Sequence, residues 1–68
     1  MRYYVNKNAQ SGSRDHEVHN EECDVLPSEE NRLALGDFTG CDDAVTEARR
    51  HYDDVNGCAF CSPECHTT

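Results

Sequence analysis

Alternation of apolar and polar positions divides the chain before any chemistry is considered. "RYYVN" (2–6) is rich in strand-forming residues and places Tyr3 and Val5 on one face and Tyr4 on the other. "KNAQSGSRD" (7–15) has the Gly, Ser and Asn content of a turn joining hairpin strands, and "HEVH" (16–19) reads as the return strand with Val18 inward. "NEECDVLPSEEN" (20–31) is polar, contains Pro27, and predicts a loop or a short helical turn. "RLALGDF" (32–38) sets Leu33 and Leu35 on one face of a third strand, with Gly36 marking its end or a bulge.

The period then changes. "CDDAVTEARRHY" (41–52) carries Ala44, Val45, Ala48 and Tyr52 as a narrow helical stripe suited to lie on a sheet. Thr39 is the expected N-cap, with Asp42 three residues later. Asp42 and Asp43 suit the positive end of the helix dipole, and Arg49, Arg50 and His51 suit the negative end. Asn56 and Gly57 are expected to stop the helix and reverse the chain. The result is a single α+β domain over 1–68, ordered β-β-β-α, with a cysteine-rich tail of which 65–68 is expected to be flexible.

Composition changes this picture by showing how little there is to bury. The chain has 68 residues, 35% of them hydrophobic and 7% aromatic, with no Trp. A domain so small and so polar needs a staple: disulfides, a metal or oligomerisation. Five cysteines supply one. Their number is odd, so they cannot all pair within the chain. The amino-terminal stretch has no apolar run like a signal-peptide core, and no stretch approaches transmembrane length. The expected compartment is the cytoplasm, where structural disulfides are rare, and both points favour metal over disulfide.

Two compact pairs supply the ligands. "HNEEC" gives His19-x3-Cys23, and "CAFC" after Gly57 gives Cys58-x2-Cys61. A Cys-x2-Cys turn aims two sulfurs at one point, and the preceding glycine allows the tight backbone. One imidazole and three thiolates match a closed structural site for one zinc ion, held by His19, Cys23, Cys58 and Cys61. Other residues compete for the fourth position. His16 lies an odd number of residues before His19, which puts the two on opposite faces of a regular strand. Cys65 and His66 follow Cys61 closely, and either can replace His19. Cys41 stands at a helix start as a small buried contact or, in an oxidised protein, as a disulfide partner of Cys65.

With 6 basic and 14 acidic residues the formal net charge is −8, and a zinc ion held by three thiolates adds one more negative charge. Such a chain is monomer-friendly and repels phosphate backbones, which disfavours nucleic acid as a partner. "HEVH" is one residue short of the metalloprotease H-E-x-x-H, the glycines form no phosphate-binding loop, and no Ser/His/Asp arrangement is recognisable.

"YYVNKN" with "HNEEC", then "ENRLALGDF", "DDAVTEA" and "GCAFC", together resemble the small Ada-type metal-binding module, in element order over nearly the whole chain. That resemblance implies zinc held by His19, Cys23, Cys58 and Cys61. In the family's DNA-repair members four cysteines bind zinc, and the first accepts a methyl group. The matching position is His19, so the resemblance extends to scaffold and metal and not to repair. The expected role is a non-catalytic zinc-stabilised module that binds a protein partner. The alternatives are a zinc-thiolate methyl acceptor or redox dithiol, and a metal buffer or sensor exchanging ligands through Cys65 and His66.

Overall fold

The computed structural model describes residues 1–67. Its elements are β1 (Arg2–Asn6), β2 (His16–Asn20), β3 (Arg32–Asp37), α1 (Cys41–Ala48) and β4 (Val55–Gly57), with 3-10 turns at Glu29–Asn31 and Pro63–Cys65. The strands form one mixed sheet in the order β3-β1-β2-β4. β1 pairs antiparallel with β2 and β3, and β4 runs parallel to β2. This is an α+β fold.

The alternation expected in the first three strands is present. Tyr3, Val5, Val18 and Leu35 are buried with Cys41, Ala44, Val45 and Ala48 of α1 in one core on one face of the sheet. Tyr4 sits opposite His19 and Ala34 on the other face. There Arg32 lies 4.5 Å above the Tyr4 ring, a cation–π contact that covers part of the sheet without an apolar residue. Gly36 marks a bulge: Tyr3 pairs with Gly36 but Tyr4 pairs with Ala34, so Leu35 is left between them, and Gly36 has φ 123°.

Three expectations are corrected. The sheet has four strands, because Val55–Gly57 adds to the edge of β2 instead of only stopping the helix. The helix ends at Ala48, four residues early. Beyond it the bonds tighten to Arg50 N–Glu47 O and His51 N–Ala48 O. This turning segment brings Tyr52 back against His16, whose ring it stacks on at 3.8 Å. The N-cap is Gly40, not Thr39, and no side chain caps the helix.

The expected loose tail is tied down through residue 67. Cys65 is joined to Cys41 by a disulfide. His66 Nδ1 lies 2.9 Å from the Gly57 carbonyl oxygen. The Thr67 N–H donates to Asn56 Oδ1 at 2.8 Å, and the Asn56 amide donates back to the Thr67 carbonyl. Thr68, included in the expected tail, lies outside the described residues.

Gly57 is required for a reason other than the one its position suggested. Its φ is not among the positive ones, so no special turn depends on it. A Cβ there would instead stand 2.7 Å from Cys65 Cβ, 2.8 Å from Cys65 carbonyl carbon and 2.9 Å from the Ser62 oxygen. Two of these atoms are backbone and cannot swing away. Gly57→Ala is expected to cost about 1–3 kcal/mol as an overpacking change, read as a lowered midpoint in urea unfolding. An unchanged midpoint would show that the closing segment is not held against β4.

A candidate metal centre

The two ligand pairs reach one point from opposite ends of the chain. His19 is the next-to-last residue of β2, and strand alternation turns it away from the helix side that Val18 faces. The strand then breaks into a turn, with Cys23 N–H donating to Asn20 O at 3.2 Å, and this turn brings Cys23 back beneath His19. On the other side, β4 is aligned by its pairing to β2, and the Cys58 N–H donates to Val18 O at 2.9 Å. Cys58 is therefore delivered directly beside His19. The turn closed by Ser62 N–H on Cys58 O at 2.9 Å then carries Cys61 to the same place.

The donor atoms of His19, Cys23, Cys58 and Cys61 all lie within 4.8 Å of one another. His19 Nδ1 is 3.5 Å from Cys23 Sγ and 4.0 Å from Cys61 Sγ, and Cys23 Sγ is 3.9 Å from Cys58 Sγ. The cluster is largely sheltered: His19 and Cys58 are buried, and Cys23 and Cys61 are half-buried.

Each sulfur also has a backbone donor. Asn20 N–H points to Cys61 Sγ and Phe60 N–H to Cys58 Sγ, both at 3.4 Å, and the Val25 N–H serves Cys23. Such bonds favour thiolates, since an ionised acceptor forms the stronger hydrogen bond. Burial pushes the His19 imidazole below its ordinary range, leaving it neutral and able to coordinate. Burial, followed by hydrogen bonding and charge from Cys61, pushes the Cys23 thiol up to about 12, with only the Val25 N–H opposing. A cation at the cluster reverses that balance at Cys23 and expels its proton, so binding is favoured as pH rises.

Asn20 links the two halves, which the sequence reading did not anticipate. Its backbone N–H serves Cys61 Sγ, its amide donates to the Cys61 carbonyl at 3.3 Å, and its Oδ1 accepts from the Glu22 N–H at 2.9 Å. The only available signal was its place immediately after His19. Asn20→Ala is expected to weaken metal binding by about tenfold or more, as outer-shell partners of ligands commonly do, measured by competition with a chromophoric chelator. Affinity unchanged from the parent would show that the two turns do not need this tie.

The rivals for the fourth ligand are placed elsewhere. His16 is stacked on Tyr52 with Nδ1 2.9 Å from the Asn6 carbonyl oxygen, and His66 faces the Gly57 carbonyl. Cys41, Asp42 and Cys65 form a second close group, but its two sulfurs are bonded to each other. The odd cysteine count thus resolves as three donors in one cluster and two in a bridge. The preference for metal over disulfide is corrected accordingly: a disulfide joins Cys41 and Cys65, beside a separate cluster able to hold a metal ion. The bridge forms because α1 packs against the Pro63–Cys65 turn and holds the two cysteines with Cα atoms 6.3 Å apart.

Fold and site together define a small α+β domain with a four-donor histidine–cysteine cluster able to hold a metal ion. No family model, curated protein or solved structure matches the chain. Among the described residues no helix is long and apolar enough to cross a membrane.

Proposed function

We propose that the chain is a structural zinc-binding module that acts by binding a protein partner and carries no catalysis of its own. The observation that carries this reading is the convergence of four nitrogen and sulfur donors at one sheltered point. A tetrahedral zinc with bonds of about 2.3 Å to sulfur and about 2.0 Å to nitrogen spaces its donors by roughly 3.5–3.8 Å. Three of the six separations, 3.5, 3.9 and 4.0 Å, are within about half an ångström of that, and all six lie within 4.8 Å. Four protein donors complete zinc's usual coordination and leave no position for a reacting water or substrate. The ion's contribution here is folding energy.

The resemblance to the Ada-type module agrees with one zinc on these four residues. His19 stands where that family's repair members carry the reactive thiolate, which speaks against methyl transfer. The net charge of −8 speaks for a protein partner over nucleic acid and for a monomer. Cytoplasmic residence is part of the reading, and it sets a condition on Cys41 and Cys65: a reducing compartment opens their bridge and leaves the metal centre as the sole staple.

The test is chelation. Treating the purified protein with a strong zinc chelator should abolish its cooperative fold, followed by circular dichroism, and added zinc should restore it. A domain that keeps a cooperative thermal transition with no bound metal would overturn the proposal.

A further inference from the structure

Three large hydrophobic side chains are exposed in the described residues: Met1, Val25 at 51% and Phe60 at 81%. The chain has only two phenylalanines and an undersized core, so leaving Phe60 in water forfeits apolar burial that the fold could use. Val25 and Phe60 occupy equivalent places. Each lies two residues after a ligand cysteine, Cys23 or Cys58, and each turns its backbone N–H onto that sulfur while its side chain faces outward. The two metal-binding turns therefore each present one apolar tip.

The tips adjoin. Both line a groove of about 330 Å³ over Cys23 and Cys61, and both line a second groove of about 310 Å³ on the far side. Glu22 and Asp24 border the first groove, and Asp15 and Glu17 the second. Among the described residues no Lys or Arg lines either one.

We infer that the Val25–Phe60 ridge is the docking site for a cationic protein segment carrying an apolar anchor. This rests on the protein-binding reading above and names its surface and its partner class. An aliphatic or aromatic side chain fills a groove against the ridge, and flanking lysines or arginines meet the four carboxylates. A guanidinium or ammonium group can also stack on the exposed Phe60 face. A second copy of this chain fits poorly, because the acidic rims would oppose each other.

The test is a titration of the folded, metal-loaded, 15N-labelled protein with a short peptide bearing a central Leu-Phe pair flanked by lysines and arginines. Its control carries glutamates in place of the basic residues. The basic peptide should shift the amides of 22–25 and 59–61, and the acidic one should not. Phe60→Ser, at a side chain that neither ligates nor packs in the core, should weaken binding about tenfold or more. Glu22→Gln with Asp24→Asn should weaken it and flatten its salt dependence. Shifts on another face, equal binding of both peptides, no binding at large peptide excess, or shifts that follow protein concentration without peptide would each overturn the inference. Metal content measured on the same samples separates the two proposals. A metal-loaded protein that ignores the basic peptide sinks the docking site alone, and a folded metal-free protein that binds it sinks the structural-metal reading alone.

Discussion

Cys58→Ser is expected to abolish the cooperative fold and not merely to lower its midpoint. Cys58 is 1% exposed and joins the end of β4 to the cluster, so in the proposed site its sulfur is both a ligand and part of the interior. Structural zinc contributes on the order of 10–16 kcal/mol to small zinc domains near neutral pH, whereas whole domains are stable by only about 5–15 kcal/mol. The core here has few large side chains, chiefly Tyr3, Val5, Val18, Leu35 and Val45, and cannot make up such a loss. Circular dichroism and one-dimensional NMR of Cys58→Ser should show a collapsed or unfolded chain with no bound metal. His19→Ala should lose metal too, while His19→Cys, which restores a fourth donor, should retain it. A Cys58→Ser protein with the parent's sharp thermal transition would contradict the account.

The second large effect lies in the bridge. Cys41 and Cys65 are separated by 24 residues, and closing a loop of that size stabilises a domain by about 3.5 kcal/mol in the chain-entropy account. Replacing both by alanine should lower Tm by roughly 15–25 °C, given the usual 4–8 °C per kcal/mol for domains of this size. The metal should stay, because the bridge is not part of the four-donor cluster. The variant is therefore expected to melt early but with one metal per chain at low temperature. Equal Tm values for the parent with and without reductant would show that the bridge contributes nothing in solution.

What was legible in the sequence follows the range of the interactions involved. Alternation revealed β1, β2 and β3 because each has a face of its own, as Tyr3 and Val5 or Leu33 and Leu35 show. The four-donor cluster was legible because each half is compact in sequence, so local turn geometry brings its two donors together. β4 was not legible. It is three residues long with a single apolar side chain, and it is a strand only because β2 offers an edge to "VNG". The same stretch in isolation carries the signals of a helix stop. The helix was overextended because Arg49, Arg50 and His51 are good last-turn residues, whereas the chain tightens after Ala48 and carries Tyr52 onto the His16 ring.

The bridge was readable only as a conditional pairing. Nothing near Cys41 or Cys65 in sequence marks the other, and their meeting depends on α1 packing against the closing turn. Gly57 shows the limit well. Its importance was apparent, but the reason, backbone atoms of Ser62 and Cys65 pressed against its missing side chain, belongs to tertiary structure. Asn20 and Asn56 were hidden for the same reason, as both act through partners about 40 or 11 residues away.

The central claim is that His19, Cys23, Cys58 and Cys61 hold one zinc ion on which the fold depends. Native mass spectrometry with elemental analysis of the untreated protein tests it most directly, run beside Cys58→Ser and the Cys41→Ala/Cys65→Ala double variant. The prediction is one zinc per chain in the parent and in the double variant, and none in Cys58→Ser. A folded parent with no metal, or a metal lost with Cys41 and Cys65 but kept without Cys58, would contradict it.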